Sequence, residues 1–428
     1  MTHGLNRVNK PIYKPVHIEW HNDILKNSLD ELKKRYNNLK PVLTLDIVVP
    51  CFRIDEKCLD RILSIKKDPR VDHRFIIIVD RNIEDIPQEK ITYLKNLEKT
   101  YPIRVRVNEK NEGASFSRNR GMEESHSDWV LYLDDDVLPK ENIITAYTDA
   151  ILANPEKDGF VGKSILPKGS ENLVTDATRK VEKANLTTHS TEAVHMAQTS
   201  FGWTISDYFH EVPWGITANL LVKRNDNIKF DLEFPKTGGG EDIDYCLKLK
   251  KWPLVAVPEA SVVHPWWNDG ARLAMWKRFY KWAKGDGLLI KKYPYHTLRT
   301  LPNIWEWTTA IATSSLVLGK EPLKYIPVLW CAEFASGTLW AYYHKDNCPH
   351  LKGMKRLTTA LESNFPRNAS ELGHIICHVA DGRLDNLTKR FDWFCGLYPE
   401  AKQYERNRAN FHNAGFLGAI LLFWKFFS

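Results

Sequence analysis

Four short apolar runs set the rhythm of the chain: Leu45–Val49, Phe75–Val79, Ile103–Val107 and Trp129–Leu133, with starts 30, 28 and 26 residues apart. The segments between them, Cys58–Lys66, Gln88–Thr100 and Ala114–Ser125, can be helical. That spacing is the βαβ unit, and its repetition predicts a parallel sheet with helices on both faces. Such a sheet binds ligands outside the carboxyl ends of its strands. Polar residues collect at that edge. Pro50 ends the first strand and Asp80 follows the second. Asn111 and Gly113 follow the third, before a helix with Arg118, Asn119 and Arg120. The fourth run meets three carboxylates, Asp134, Asp135 and Asp136.

Beyond this rhythm the pattern loosens. Residues 1–40 are polar and mixed in charge, with a short helix from Ile24 to Tyr36, and read as an extension. Residues 155–215 carry few strand signals and read as a long crossing segment. Asn219–Val222 is a predicted strand, and Glu241–Lys251 a helix opened by Gly238-Gly239-Gly240. Leu254–Val257 is a further strand, and Val262-Val263-His264-Pro265 follows it. Arg272–Lys284 is a helix with a broad apolar face and interspersed Lys and Arg, ended by Gly285-Asp286-Gly287. Two marginal apolar segments come next, Ile304–Gly319 and Tyr325–Tyr343, and Gly415–Phe427 is almost wholly apolar. That last run is shorter than the ~20 residues of a spanning helix. Mean hydropathy is −0.40, which disfavours a multipass protein. Interfacial attachment and a helical subdomain burying these faces against itself both fit.

A chain of 428 residues exceeds one ordinary core, so two domains, or one with a large appendage, are expected. The net charge of +7 permits an anionic partner such as a nucleotide or an acidic membrane surface, and no nucleic-acid recognition motif accompanies it. Fifteen Trp supply faces on which sugars stack, as well as core volume. The seven Cys show no Cys-x-x-Cys spacing, and the first ten residues contain no apolar stretch. The expectation is a reducing, cytoplasmic setting without a leader, in which the sequons at Asn185, Asn368 and Asn386 are accidental.

Three carboxylates at a strand end are too close to ionise comfortably alone and call for a cation. A divalent ion there could hold the diphosphate of a nucleotide. A solvated turn is the plainer reading of such a triplet. A second acidic cluster behind the glycines, Glu241-Asp242, and His264 as a further ligand favour the metal.

Taken in order, these pieces resemble the family-2 glycosyltransferases of GT-A fold. The matching residues are Asp46–Pro50, Ile78-Val79-Asp80, Asn111-Glu112-Gly113 with Ser117–Gly121, Leu133–Asp136, Gly239–Asp244 and Pro258–His264. The resemblance covers roughly residues 41–290. It implies an α/β fold with a mainly parallel, Rossmann-like sheet, followed by a mainly helical region over 291–428. It also implies a metal-dependent inverting transfer from a nucleoside-diphosphate sugar, a UDP-sugar foremost, to a hydroxyl of a glycan, lipid-linked or protein acceptor. Asp136 and His264 would hold the ion, with Asp134 on it, on a metal-bound water or on ribose. The imidazole suits Mn²⁺ better than Mg²⁺. Pro50, Asp80, Asn111, Gly113, Arg118, Asp134 and Asp135 would line the nucleotide, with one of Arg118 and Arg120 turned to it. Arg81 stands where the family often carries a second Asp. Asp242 would be the base and Glu241 would hold the acceptor. Trp203 and Trp214 could stack on sugar rings or pack in the core.

Two alternatives compete. A sugar nucleotidyltransferase would show a Gly-rich basic loop after the first strand, but Pro50–Asp55 has no glycine. A membrane-associated scaffold that kept the fold would need none of Asp136, Asp242 and His264. The expected setting also allows peripheral contact with the cytoplasmic face of a membrane, and oligomers. No Gln-x-x-Arg-Trp motif is evident, which favours single-residue transfer over polymerisation.

Overall fold

The computed structural model describes residues 43–165, 210–236, 238–264, 272–344 and 351–427. The extension over 1–40, most of the crossing segment and Trp203 lie outside them.

The βαβ rhythm is realised as β1 (Leu43–Cys51), α1 (Glu56–Leu63), β2 (Val71–Val79), α2 (Gln88–Thr100), β3 (Ile103–Val107), α3 (Ala114–Glu124) and β4 (Trp129–Leu133). Asp55 caps α1 by accepting from the Cys58 N–H at 3.1 Å, the usual work of an Asp before a helix. These four strands pair in parallel in the order β3-β2-β1-β4. Alternation along each strand divides the core. Ile47, Val49, Ile77 and Leu131 bury on one face. Val48, Ile76, Ile78, Val130 and Tyr132 bury on the other. A sheet covered on both sides requires such unbroken apolar runs. Each full burial stabilises by roughly 1.5–3 kcal/mol.

The chain continues through β5 (Leu138–Pro139), α4 (Ile143–Ala153), β6 (Gly159–Ile165), β7 (Glu211–Val212), β8 (Asn219–Lys223), α5 (Glu241–Leu247) and β9 (Leu254–Val263). The sheet extends as β4-β8-β6-β9-β5, with β7 on β9. β8 runs antiparallel to both β4 and β6, whereas β6 and β9 are parallel. The sheet is therefore mixed at this side. β6 corrects the irregular reading of 155–215: two glycines, Lys163 and Ser164 dilute its apolar signal, and pairing on two sides supplies what propensity lacks. β9 passes through Pro258 to Val263, further than the predicted strand. α5 is shorter than expected and stops at Leu247.

The remaining chain is mainly helical: α6 (Arg272–Lys292), β10 (Thr297–Arg299), α7 (Ile304–Leu318), α8 (Tyr325–Tyr343), α9 (Gly353–Ala380), β11 (Lys389–Phe391) and α10 (Pro399–Phe427). α6 does not stop at Gly285-Asp286-Gly287, as the sequence suggested, but runs on for another turn and more. Its end is tied to the sheet side, where Lys292 Nζ meets Asp231 at 2.5 Å and Asp244 at 2.7 Å. α7, α8 and α10 share a small core of Ile304, Leu329 and Phe416. Beside it buried Glu333 meets Arg367 at 2.6 Å and the His412 imidazole at 2.8 Å, forming a polar cluster. Among the described residues no helix is long and apolar enough to cross a membrane. The six described cysteines are all free.

Candidate active site

After β4 the chain crosses to β5, which pairs antiparallel with the end of β9, so Asp134 and Asp136 come to face His264. The His264 Nε2 lies 3.4 Å from Asp134 Oδ2 and 3.7 Å from Asp136 Oδ1. One donor atom from each of the three residues lies within 4.8 Å of the others. Asp136 is buried at 3% exposure, which sets its charge apart from water. Burial pushes its carboxyl up, and the opposing pull of His264 and Arg53 does not cancel this. Burial also acts on Asp134, but His264 and Arg118 outweigh it and hold that carboxyl well below the usual range.

Asp135 points the other way. Its carboxylate accepts from the Phe52 and Arg53 N–H groups at 2.9 and 3.0 Å and from the Arg53 guanidinium at 2.5 Å. It shapes the loop after β1 while still bordering the cavity. The same guanidinium reaches Asp136 at 2.9 Å. Arg53 was not among the expected site residues. Its position directly after a strand end, at the edge that holds the triplet, was the available signal.

Asp80, buried after β2, accepts from the Glu112 and Gly113 N–H groups at 2.8 Å and from the Asn108 side chain at 2.9 Å. It thus folds the loop that carries Asn111 and Gly113. Asn111 is exposed at the cavity, and its carbonyl accepts from Lys236 Nζ at 3.0 Å. Arg118 turns inward to Asp134 at 3.0 Å and Glu241 at 3.5 Å. Arg120 instead donates to the Val107 carbonyl and Asn108, closing the end of β3.

The glycine loop brings the second acidic pair to the same space. Gly239 has φ +130°, and a Cβ there would stand 2.9 Å from the Trp282 backbone of α6. Only glycine lets the loop lie this close to the helix. Glu241 folds back to accept from the Gly239 N–H at 2.6 Å, so its carboxylate holds the loop and Arg118. Asp242 is half-buried and lines the cavity. Burial, with the charge of Glu241 adding to it, pushes its carboxyl up to about 8.

One cavity of about 1200 Å³ joins these parts. Pro50, Asp80, Asn111, Gly113, Arg118, the triplet, Glu241, Asp242 and His264 all border it. Its far wall was not foreseen. It comes from α6, α9, β11 and α10 and includes Trp282, Asp286, Glu371, Arg390, Trp393 and Arg408. Trp214 borders the cavity but is packed: it is 5% exposed, and its Nε1–H donates to the Trp393 carbonyl at 2.7 Å.

The donor set suits a divalent ion. Bonds of about 2.1–2.2 Å place neighbouring donors roughly 3–4.3 Å apart, which two carboxylates and one imidazole can meet here with small side-chain adjustment. A cation would also relieve the raised carboxyl of Asp136.

Comparison with known proteins agrees with the residues. The glycosyl transferase family 2 model matches residues 46–209. An uncharacterized glycosyltransferase of Haemophilus influenzae is 32% identical over 92 residues, which is 22% of this chain and 29% of that protein's length. Among solved structures, the chain is similar to the mannosyltransferase PcManGT from Pyrobaculum calidifontis in complex with GDP-Man and Mn²⁺, at TM-score 0.44 and 15% identity over 82% of this chain and 95% of that one. It is also similar to GalNAc-T7 with UDP, GalNAc and Mn²⁺, at TM-score 0.39 and 13% identity over 59% and 51%. The strand order, the acidic strand end and the glycine-led helix accompany the family match: residues 46–209 are similar to glycosyl transferase family 2, and the described residues among them lie on a mixed, mainly parallel α/β sheet.

Proposed function

We propose that the protein is a metal-dependent, inverting glycosyltransferase. It moves a sugar from a nucleoside-diphosphate sugar, a UDP-sugar foremost, to a hydroxyl of a glycan, lipid-linked or protein acceptor. In this reading residues 41–290 are the catalytic domain and residues 291–428 a helical region that closes over the acceptor side. The observation that carries it is the cluster of Asp134, Asp136 and His264 on the same cavity as Asp242, whose carboxyl is raised toward neutrality.

Asp134, Asp136 and His264 would hold the ion, Mn²⁺ in preference to Mg²⁺, which neutralises charge gathering on the leaving diphosphate. Pro50, Asp80, Asn111, Gly113 and Arg118 border the nucleotide's part of the cavity. Asp135 supports it through the loop after β1. Asp242 accepts the proton of the acceptor hydroxyl as that oxygen attacks the anomeric carbon. The bond to the diphosphate breaks on the opposite face, and the leaving oxygen keeps the electron pair. A base is most useful when its pKa lies near the working pH, which a burial-raised aspartate achieves. Glu241 keeps Asp242 raised and keeps the loop in place. A nucleotide-sugar turnover screen with added Mn²⁺ tests the reading. Asp242→Asn should lower turnover by about 10²–10⁴ while donor affinity stays. Near-normal turnover in that variant removes the assignment.

We also propose peripheral contact with the cytoplasmic face of a membrane. Leu316 and Val317 at the end of α7 are 85% and 87% exposed, and Leu421, Leu422, Trp424 and Phe426 are exposed near the end of α10. Contiguous exposed apolar side chains of this kind favour an interface.

A further inference from the structure

The Gly285-Asp286-Gly287 step lies inside α6, where each glycine costs about 1 kcal/mol against alanine. Packing accounts for both. A Cβ at 285 would stand 1.6 Å from the Gly239 carbonyl oxygen of the catalytic loop, and one at 287 would stand 2.3 Å from Cys377 Sγ on α9. Successive helical residues differ by 100° in direction. A helix clamped at 285 and 287 therefore turns residue 286 into the gap between the catalytic loop and α9. That gap is the far arm of the cavity, and Asp286 lines it.

We propose that Asp286 is an acceptor-binding residue, and that this arm is a subsite for the pyranose ring that presents its hydroxyl to Asp242. The proposal rests on the transferase reading above and adds where the acceptor sits and what class it is. No ion pair or hydrogen bond joins Asp286 to another described residue, although it is half-buried. Its neighbours are committed. Arg390 meets Glu306 at 3.1 Å and Glu371 at 3.4 Å, and Arg408 meets Glu405 at 2.9 Å. The stretch of wall around Asp286 is thus polar, with Arg390 and Arg408 held by carboxylates and Lys277 and Lys281 further along the same cavity, which suits a hydroxyl-rich ligand better than an acyl chain. Half-buried Trp282 and Trp393 border the same space, so aromatic surface lies beside the polar groups, as sugar sites require. Burial and the nearby Glu371 push the Asp286 carboxyl up to about 8. At neutral pH it therefore carries a proton and can both donate to and accept from hydroxyls.

Saturation-transfer NMR on the full chain, with UDP and Mn²⁺ present, tests this. The probes are methyl hexopyranosides and methyl N-acetylhexosaminides of both anomeric forms at millimolar concentration. At least one should bind the natural protein. Asp286→Ala should weaken it by about tenfold, and Asp286→Asn, which keeps the shape and a donor, by less. UDP affinity, measured in parallel, should stay within about twofold, since the sites are separate. Glycoside binding that is unchanged in Asp286→Ala, or absent from a natural protein that binds UDP, overturns the proposal. Loss of UDP binding in both Asp286 variants makes the residue structural and overturns it too. Failure of the natural protein to bind UDP strikes the transferase reading itself.

Discussion

The sheet edge and the helical wall face each other across one cavity but are built by different rules. On the sheet side each candidate residue sits at or just beyond a strand end, or opens a helix: Asp80 after β2, Asp134 and Asp136 after β4, His264 after β9, Asp242 at the start of α5. Topology brings these positions together whatever the intervening sequence. On the helical side Asp286, Glu371, Arg390 and Arg408 come from three helices and a short strand, and only side-chain packing assembles them. In the proposed function, backbone ends suit what would not vary, an ion and a diphosphate. A wall of side chains can be rebuilt for another acceptor without disturbing them.

That contrast can be broken most directly on the sheet side. Asp136→Asn should abolish Mn²⁺ binding and lower turnover by about 10³ or more, read by calorimetric titration and a donor-turnover assay. Persistent Mn²⁺ dependence with unchanged affinity would remove Asp136 from the metal set.

A smaller effect concerns pH. Asp242 acts only when ionised, so kcat/KM should fall as pH drops through about 8. Glu241→Gln removes a charge that raises this pKa, so the limb should move to lower pH and the variant should keep a larger share of its maximum rate at pH 7. A shift of one unit corresponds to about 1.4 kcal/mol. A limb that stays in place would mean that burial alone sets it.

On the helical side stability should respond before chemistry does. Glu333→Gln leaves Arg367 buried without its carboxylate and should cost about 3–5 kcal/mol in denaturant unfolding. Burial raises the Glu333 carboxyl, but Arg367 and His412 outweigh it and lower it to about 2. Its folded value is depressed, so this contribution is fully present above the ordinary carboxylate range and is lost as pH falls toward 2. Burial draws Arg367 down as well, yet a guanidinium starts so high that it stays charged throughout. A variant as stable as the natural chain would show the cluster to be dispensable.

The smallest expected change is in membrane contact. Removing the last helix from residue 411 would delete His412 and the buried Phe416, so substitution is the cleaner probe. Leu421→Glu with Trp424→Glu should reduce flotation with anionic liposomes severalfold, and added salt should weaken the basic contribution further. If the natural chain does not float at low salt, the exposed ends of α7 and α10 serve another purpose, such as contact between copies.

What could be read from the sequence follows the same division. Strand spacing located β1 to β4, and the acidic triplet, the glycine loop and His264 stood out because they sit at element ends. Pairing hid β6, whose glycines and lysine are tolerated between two neighbours. Two glycines looked like the end of α6 because their reason is a distant backbone and a distant cysteine. Asp135 looked like its neighbours, since adjacency along the chain does not reveal which of three carboxylates turns to the Phe52 and Arg53 N–H groups. Trp214 could not be told from a stacking platform until Trp393, far along the chain, covered it.

The contact of Gly285 with Gly239 also works as a ruler. Asp286 and Asp242 stand on the two pieces of chain that meet there, glycine against glycine. If an acceptor ring rests on Asp286, the thickness of that contact selects which of its hydroxyls reaches Asp242. The regiochemistry of the new linkage would then be written in the absence of a single methyl group, and Gly285→Ala should alter the ratio of linkage isomers before it alters the choice of donor.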